Sequence, residues 1–358
     1  FFLVLSVFVV RYDAFAFFKK EKSDYIAQHY VFPKVSLPDK ASTKNLILIY
    51  VESLEASYSN RDLFSESLLS DLESLPGFAF ENFRQLPGAN WTIAGMTASQ
   101  CAIPLKPLAI GDGNAQGEFF NEFLPDAVCL GDILKGFGYE NVFLGGASLK
   151  FAGKGKFLQS HGYSKTMGKE EWLATGRYQE SRMNSWGIYD DELMLEARTE
   201  LNRLVRKGSK FNLTLLTVET HSPRGIVSPS CRKSGAQNFE AIVRCTSRNV
   251  AGFIRYAIER GYLKNTNIVV LGDHLSMPNP LSSKLDKLEE RFVFNRWISS
   301  DNVEAFRKNR AEIVHFDVAP TLLEFLGFRV EGDLLGLGYT ALNQSEQMPP
   351  QGRYEELQ

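Results

Sequence analysis

The chain has 358 residues, of which 44% are hydrophobic and 23% are charged, which suits one large globular domain or two small ones. The formal net charge is -2, and no basic run could follow a phosphate backbone, so nucleic acid is excluded as an expected partner. Composition excludes no other function class, so the order of strands, helices and motifs along the chain must distinguish among them.

The N-terminal segment is apolar but short. Residues 1–10 (FFLVLSVFVV) are fewer than the roughly 20 that span a bilayer. The nearby positive charges, at Arg11, Lys19 and Lys20, follow this apolar stretch, whereas the positive charges of a signal peptide precede its apolar stretch. We expect residues 1–18 to be the end of a truncated transmembrane helix and residues 19–40 to be a membrane-surface segment and linker. A buried helix is the alternative. A catalytic domain is expected over residues 41–345 and a tail over residues 346–358.

The four cysteines form two pairs that are close in sequence, Cys101 with Cys129 and Cys231 with Cys245. If oxidised, each pair would close a loop of moderate length and add about 3 kcal/mol of stability. Even, local pairing is typical of an oxidising compartment such as a periplasm. The pairs lack the CxxC spacing of zinc and thioredoxin-type sites. Four free thiols in a cytosolic enzyme are the alternative.

Near-continuous apolar runs predict the buried strands of a parallel sheet. These runs cover residues 45–52, 141–146, 211–220 and 266–274. Helical patterns lie over residues 129–139, 189–208, 239–261 and 315–327. The alternation predicts an α/β fold, a three-layer sandwich with a mostly parallel central sheet. Ligands of such sheets bind beyond the carboxyl ends of the strands.

Polar residues stand at two of these strand ends. Glu52 ends the first strand, and Asp273 and His274 end the strand in IVVLGDH. Carboxylate oxygens and an imidazole suit zinc or manganese. Such groups are costly to bury unless something pairs with them or coordinates them. For Glu52 the alternative is a structural role at the start of the following helix.

Two further residues have side chains that could react. Thr92 follows a turn and precedes small residues, so its hydroxyl could lie in an anion site at a helix start. An ordinary helix cap is the alternative, because threonine is a poor nucleophile unless a base or metal takes its proton. His221 follows the strand over residues 211–220 and could protonate a leaving group or bind phosphate. His315 opens a helix and is expected to be structural.

Several motifs together resemble one enzyme family. The segments YVESLE, GANWTIAGMTASQC, ETHSPRG and LGDHLSMPN are similar to the phosphoglycerol transferases of periplasmic glucans. These enzymes belong to the alkaline phosphatase and sulfatase superfamily, beside lipoteichoic acid synthase. CLGDILKGFGY, GGASLKFAGKGKFLQSHGY, SWGIYDDELMLEA and HFDVAPTLLEFLG extend the resemblance from about residue 40 to residue 342. An alkaline phosphatase/sulfatase-like fold is implied.

The resemblance also implies a metal centre. Glu52, Thr92, Asp273 and His274 would hold one divalent metal ion, for which manganese is expected and zinc or magnesium are the alternatives. Thr92 would also be the nucleophile that forms a covalent intermediate. The two cysteine pairs are compatible with the same family.

Substrate contacts follow from the same resemblance. His221 stands where the family has a histidine that contacts phosphate or glycerol. Lys154 stands near an arginine that grips the phosphoglycerol group in lipoteichoic acid synthase. Because lysine offers a point charge in place of a bidentate fork, this position departs from that pattern. Phe151 is expected to line the same pocket.

The function implied is transfer of phosphoglycerol from phosphatidylglycerol to a periplasmic glucan or other sugar acceptor. The protein would be held in a bacterial inner membrane through a missing N-terminal region, with the catalytic domain in the periplasm or another extracytoplasmic space. Lipoteichoic acid synthase-like polymerisation, phosphoethanolamine transfer and a non-catalytic glycan- or lipid-binding domain are the alternatives. A sulfatase would need a C-x-P-x-R context, but the proline after Cys101 in CAIPLK comes one place too late.

Overall fold

The fold is organised around a six-stranded sheet. A computed structural model describes residues 25–38, 43–106, 114, 121–301, 310–342 and 354. The strands are β1 (Val35–Ser36), β2 (Asn45–Val51), β3 (Asn82–Arg84), β4 (Glu140–Gly145), β5 (Tyr163–Met167), β6 (Phe211–Leu216), β7 (Thr266–Gly272), β8 (Asn295–Ile298), β9 (Glu312–Val314), β10 (Arg329–Val330), β11 (Leu334–Leu335) and β12 (Gly338–Tyr339). The α-helices are α1 (Tyr25–His29), α2 (Arg61–Phe64), α3 (Ser70–Glu73), α4 (Thr92–Cys101), α5 (Leu130–Gly136), α6 (Lys154–Ser160), α7 (Lys169–Ala174), α8 (Asp190–Lys207), α9 (Pro229–Lys233), α10 (Phe239–Glu259), α11 (Ser282–Leu285) and α12 (His315–Phe325).

The strand order in the central sheet is β5–β4–β6–β2–β7–β8. Neighbouring strands are parallel except β7 and β8, which are antiparallel. The central strand β2 lies between β6 and β7, so Tyr50 is in register with Leu216 on one side and Leu271 on the other. Since parallel strands end at the same edge, the residues that follow β2, β6 and β7 are neighbours in space.

Side chains of the central strands alternate between two packed layers. Ile47, Ile49 and Val51 face a large apolar core that includes residues of α8 and α10. Tyr50 points to the other face, where its hydroxyl lies 2.7 Å from the Ser99 hydroxyl of α4. On that face Asn267 of β7 donates a hydrogen bond to the last residue of α12, Phe325. Helices therefore cover both faces, which confirms the predicted three-layer arrangement.

Most predicted elements are present, and their ends differ by a few residues. The helix predicted over residues 189–208 is α8, which has acidic residues in its first turn, basic residues in its last and Gly208 just beyond. The strand predicted over residues 211–220 ends earlier, at Leu216. The chain then turns at the carboxyl edge and carries His221 there. The edge strands β5 and β8 were not predicted.

The chain divides at Tyr30 into a short N-terminal unit and a unit over residues 31–358. Within the larger unit β1 pairs with β10, so residues from Val31 onward in the expected linker belong to that unit. The expected membrane helix over residues 1–18 lies outside the described residues, as does all of the tail over residues 346–358 except Tyr354. In the part of the chain that is described, no helix is long and apolar enough to cross a bilayer.

Candidate metal centre and active site

The side chains of Glu52, Asp273 and His274 meet at the carboxyl edge of the sheet. Glu52 directly follows β2, and Asp273 and His274 directly follow β7. His274 Nε2 lies 3.4 Å from Glu52 Oε1 and 3.6 Å from Asp273 Oδ2. One potential ligand atom from each residue lies within 4.8 Å of the others. The Thr92 hydroxyl reaches the same cluster and donates a hydrogen bond to Glu52 Oε2 at 3.1 Å.

Burial makes the electrostatics of this cluster strong. Burial alone would raise the pKa of Glu52, but the adjacent His274 imidazole, with Nε2 3.4 Å from Glu52 Oε1, outweighs it and lowers that pKa. Burial and the neighbouring Glu52 charge raise the pKa of Asp273. For His274, burial disfavours the imidazolium, yet the two carboxylates prevail and raise its pKa to about 9. The cluster therefore attracts positive charge, whether a proton or a cation.

Two buried atoms of the cluster indicate a ligand. Among the described residues, neither Asp273 Oδ2 nor His274 Nε2 has a hydrogen-bond partner. A buried polar atom without a partner costs about 1–3 kcal/mol, so a fold rarely keeps two side by side. Two carboxylates, an imidazole and an adjacent hydroxyl are suitable donors for manganese or zinc. The residues present fit a divalent cation.

Neighbouring groups orient the three side chains. Ser53 donates from its backbone N–H to Asp273 Oδ1 at 2.7 Å and from its hydroxyl to Glu52 Oε1 at 2.8 Å. His274 Nδ1 lies 2.7 Å from the carbonyl oxygen of Leu275. That oxygen only accepts, so Nδ1 carries the hydrogen and Nε2 faces the carboxylates. Outer contacts of this kind fix the tautomer and ring orientation of a metal-binding histidine.

Thr92 is the first residue of α4 and does not cap that helix. Trp91 holds the N-cap position and makes no side-chain hydrogen bond there, while the Thr92 hydroxyl bonds to Glu52. From Ile93 to Cys101 the residues of α4 are buried, and Thr92 is only half-buried. The unpaired N–H groups at a helix start favour an anion, so Thr92 stands where a phosphate group would be stabilised.

His221 lies beside the metal cluster, past the end of β6. Its position is set through Thr217, whose hydroxyl oxygen accepts the backbone N–H of Glu52 at 3.0 Å, and through Thr220, whose hydroxyl donates to the Glu52 carbonyl. His221 is close enough for its charge to contribute to lowering the pKa of Glu52. Its Nδ1 lies 2.6 Å from the carbonyl oxygen of Ser222. In a neutral ring Nε2 is therefore the nitrogen that can accept a proton.

Phe151, Trp186 and His221 form an aromatic cluster next to this centre. The ring centroids of Trp186 and His221 are 4.5 Å apart, and those of Phe151 and Trp186 are 5.2 Å apart. Lys154, the first residue of α6, is buried and places Nζ 4.9 Å from the centroid of Phe151. Sequence reasoning named Phe151, Lys154 and His221 but missed Trp186. The only sequence signal for Trp186 was its presence in SWGIYDDELMLEA, which has no strand or helix periodicity around the tryptophan.

The cysteines form two disulfides outside the metal cluster, and His315 packs against the backbone of one candidate ligand. Cys101 and Cys129 form one disulfide and Cys231 and Cys245 the other. The first joins the end of α4 to the start of α5, and the second joins α9 to α10. His315 is buried, and its Nε2 lies 2.9 Å from the carbonyl oxygen of Asp273. It therefore supports a candidate metal ligand from behind.

Comparison with known proteins assigns the fold and its motifs to a family. The sulfatase family model matches residues 44–328. The chain belongs to the sulfatase family. Within that family it is 39% identical over 328 residues to "Phosphoglycerol transferase I" of Citrobacter koseri, and 39% identical over 330 residues to the protein of the same name from Escherichia coli O127:H6. Each alignment covers 88% of this chain but 41% of the relative, so the chain spans about two fifths of the length of these relatives. The resemblance drawn from the motifs is confirmed.

Solved structures share the architecture at low sequence identity. The lipoteichoic acid synthase LtaP from Listeria monocytogenes superposes with a TM-score of 0.63 at 17% identity, covering 86% of this chain and 79% of that one. The zinc complex of the C-terminal periplasmic domain of EcEptC from Escherichia coli gives a TM-score of 0.56 at 13% identity, covering 88% and 91%. These likenesses establish the fold alone, and they confirm the predicted α/β class.

Proposed function

We propose that this sulfatase-family chain transfers phosphoglycerol from phosphatidylglycerol to a periplasmic glucan through a covalent intermediate on Thr92. One observation carries the proposal. The Thr92 hydroxyl lies 3.1 Å from Glu52 Oε2, at the edge of a buried group of residues that fits a divalent cation. The relatives named phosphoglycerol transferase I supply the group to be transferred.

The proposed centre would hold its metal through Glu52, Asp273 and His274, with Thr92 as the fourth donor. Manganese is the metal we expect, with zinc and magnesium as alternatives. When bound, the cation would supply the positive charge that lowers the pKa of a hydroxyl and stabilises charge on phosphate oxygens. The Glu52 carboxylate orients the Thr92 hydroxyl by accepting its hydrogen bond.

The reaction would proceed in two displacements at phosphorus. Thr92 Oγ1 attacks the phosphodiester and releases its proton to solvent, while the bond from phosphorus to the diacylglycerol oxygen breaks. His221 donates a proton to that departing oxygen. An acceptor hydroxyl then gives its proton to His221 and attacks the same phosphorus. Thr92 leaves and regains a proton from solvent, so the enzyme is restored.

Two basic side chains would share the work of substrate binding and proton transfer. Lys154 would bind the phosphoglycerol group with its buried ammonium, beside Phe151 as the apolar wall. His221 would donate a proton to the departing oxygen and accept one from the incoming hydroxyl. One residue can do both because the two oxygens occupy the same side of the phosphorus, opposite Thr92.

The acceptor and location are part of the proposal. The name of the relatives at 39% identity supports transfer of phosphoglycerol to an acceptor molecule. The two disulfides favour an oxidising compartment such as a periplasm. Residues 1–40 would connect the catalytic domain, residues 41–345, to the inner membrane. Phosphatidylglycerol would then be drawn from the bilayer that anchors the protein.

A trapping experiment tests the covalent step. The purified chain, loaded with Mn²⁺, is mixed with phosphatidylglycerol labelled in the glycerol head group, and peptides are mapped by mass spectrometry. We expect label on Thr92, no label with the Thr92→Ala variant, and no label after chelation. Lipid labelled in its acyl chains should leave the protein unlabelled and appear as free diacylglycerol. Turnover of lipid with an unmodified Thr92 would refute the covalent step.

The same experiment distinguishes the head group and the acceptor. Phosphatidylethanolamine, offered in place of phosphatidylglycerol, should not label Thr92. If it labels Thr92 faster, the chain is a phosphoethanolamine transferase. Growth of a glycerol phosphate chain without added glucan would instead identify a polymerase like the lipoteichoic acid synthases.

A further inference from the structure

Trp186 occupies a position at the sheet edge that several independent features hold in place. It is half-buried, in the turn between α7 and α8. Its indole ring packs against both His221 and Phe151, with ring centroids 4.5 and 5.2 Å apart. A half-exposed tryptophan contributes less to a core than a buried one, so its fixed position points to a role in binding.

The turn around Trp186 is built by Asn184 and Gly187. The Asn184 side-chain oxygen accepts the backbone N–H groups of Trp186 at 2.8 Å and Gly187 at 3.0 Å. Gly187 lies so close to the end of β4 that a Cβ atom there would stand 1.9 Å from the Gly146 carbonyl oxygen. Ile188 donates its N–H to the same Gly146 carbonyl at 3.1 Å. The turn is therefore docked on the central sheet.

A pair of buried carboxyl groups links this turn to the His221 segment. Asp190 accepts the backbone N–H groups of Val218 at 2.8 Å and Glu219 at 3.2 Å. In return the Glu219 side chain accepts the backbone N–H of Asp190 at 3.0 Å. Asp190 lies four residues after Trp186, and Glu219 lies two residues before His221. These reciprocal bonds hold the segment that carries Trp186 against the segment that carries His221.

We propose that Trp186 is the platform on which a sugar ring of the acceptor stacks, an inference that rests on the proposed function. The C–H groups on one face of a pyranose ring pack well against the electron-rich face of an indole. The phosphoglycerol group presents no such ring, because its three-carbon chain is small and flexible and its phosphate is met by charged groups. The chemistry of the indole therefore matches the acceptor better than the donor.

The neighbour of Trp186 supports the same assignment. In the second displacement His221 takes the proton of the acceptor hydroxyl, so the acceptor must lie against His221. Trp186 is the aromatic ring nearest to His221, at 4.5 Å between centroids among the described residues. A sugar stacked on the indole would carry a hydroxyl toward the imidazole. Trp186 would thus position a substrate and take no part in the chemistry.

Separate measurement of the two half-reactions tests this assignment. The first is formation of the Thr92 adduct from labelled phosphatidylglycerol, and the second is discharge of that adduct to a β-glucan or to glycerol. For Trp186→Ala we expect adduct formation within about twofold of the unchanged chain. The KM for glucan should rise about tenfold, the size of a lost aromatic contact, with discharge to glycerol unchanged. Trp186→Phe should recover part of the glucan affinity.

Each remaining outcome contradicts the platform. If Trp186→Ala slows discharge to glycerol as much as discharge to glucan, the indole serves His221 and not a sugar. If adduct formation falls instead, Trp186 belongs to the donor pocket. If nothing changes, it has no role in binding. An unchanged chain that never forms the adduct would refute the proposed function itself, which separates the two failures. Melting temperatures of both variants within a few degrees of the unchanged chain establish that each is folded.

Discussion

Gly95 of α4 lies directly against the backbone carbonyl group of Asp273. A Cβ atom added to Gly95 would stand 1.9 Å from that carbonyl oxygen, far inside van der Waals contact. The same oxygen lies 2.9 Å from Nε2 of His315. Burial lowers the pKa of His315 to about 4, so the ring is neutral and Nε2–H donates. Because His315 also holds this oxygen, only the missing side chain at Gly95 lets the helix of Thr92 approach the metal cluster so closely.

The first prediction concerns this approach. Gly95→Ala should push α4 away from the strand end that carries Asp273, at a cost of about 1–3 kcal/mol for overpacking. The Thr92 hydroxyl would move away from Glu52 Oε2, so Mn²⁺ affinity and adduct formation should both fall by at least tenfold. Urea unfolding and calorimetric titration with Mn²⁺ measure the two effects.

A matched glycine serves as the control for that variant. Gly136 is also in a helix, and among the described residues no atom outside its own helix and chain neighbours lies within 4 Å of the position that a Cβ would take. Gly136→Ala should leave Mn²⁺ affinity unchanged and stabilise the chain slightly, since alanine has the higher helix propensity. Equal Mn²⁺ affinities for the two alanine variants would contradict the importance of the Gly95 contact.

A buried ion pair supports the same cluster from another side. Glu55 is fully buried, and Arg291 donates to its two oxygens at 2.7 and 2.9 Å. Arg291 also donates to the carbonyl oxygen of Ser276 at 2.9 Å. It therefore joins the segment that follows Glu52 to the segment that follows His274, and so holds both halves of the proposed metal centre.

The second prediction is that Glu55→Gln lowers both stability and metal affinity. Removing one charge of a buried pair costs about 3–5 kcal/mol, and we expect the lower end because the Arg291 side chain is 24% exposed. The two loops should then separate, and Mn²⁺ affinity should fall by about tenfold or more. Unfolding in urea and Mn²⁺ titration of the folded protein provide the two readouts.

An exposed pair is the control. Lys34 and Glu331 lie 3.5 Å apart, with side chains 75% and 70% exposed. Glu331→Gln should change stability by no more than about 0.5 kcal/mol and leave Mn²⁺ affinity unchanged. If Glu55→Gln binds Mn²⁺ as tightly as Glu331→Gln does, Glu55 is structural only.

Local patterns were enough to predict the central strands and long helices. The apolar runs of β2, β4, β6 and β7 lie in strands with neighbours on both sides, so burial forces a continuous hydrophobic sequence. The edge strands β5 (YSKTM) and β8 (NRWI) were missed because each is short and mixes polar with apolar residues, so neither has the continuous hydrophobic run of a central strand. Charged first and last turns predicted α8 well, since those signals act within the helix itself.

The site was predictable only as far as topology alone determines it. Parallel strands end at one edge, so Glu52, Asp273 and His274 could be expected to meet there. The contacts of Trp186, Glu55 and Gly95 could not be expected from sequence. Glu55 and Arg291 are 236 residues apart, and such a pairing depends on the packed loops around it. Tertiary packing, and not local preference, places these residues at the centre.

The third prediction concerns Lys154, the buried lysine that we propose binds the phosphoglycerol group. Lys154→Met removes a charge that would meet the phosphoglycerol group and should lower kcat/KM for adduct formation by about 10²-fold, as for other electrostatic contacts to a reacting phosphate. Lys154→Arg keeps the charge but adds volume at a side chain that is only 3% exposed. Its kcat/KM should therefore lie between those of the unchanged chain and Lys154→Met. Lys150→Met, at an exposed lysine nearby, should leave the rate unchanged. A Lys154→Met variant as active as Lys150→Met would remove Lys154 from the pocket.

The fourth prediction concerns pH and the carboxyl pair of Asp190 and Glu219. Burial raises the pKa of both groups above their ordinary range, and the charge of Asp190 raises that of Glu219 further. The neighbouring Asp191 charge adds to both shifts, and the Thr246 hydroxyl, 3.4 Å from Asp190 Oδ2, opposes the shift of Asp190. A group whose pKa rises on folding stabilises the fold below its unfolded pKa, and that contribution is lost as the pH rises through its folded pKa. The pair should therefore favour folding near pH 4 and oppose it increasingly toward pH 9.

Glu219→Gln tests this sign. Glutamine keeps an oxygen to accept the Asp190 N–H but cannot ionise, so the variant should lose less stability than the unchanged chain as the pH rises from 5 to about 9. The difference between the two should grow by at most ~1.4 kcal/mol per pH unit, the limit for one proton. Urea unfolding at several pH values measures it, and the difference cancels the titration of the metal cluster because both proteins share it. Glu289→Gln, at an exposed site, should follow the unchanged chain. Parallel pH profiles for Glu219→Gln and the unchanged chain would mean that Glu219 stays ionised in the fold, and the backbone bonds from Asp190 would then have to stabilise a buried negative charge.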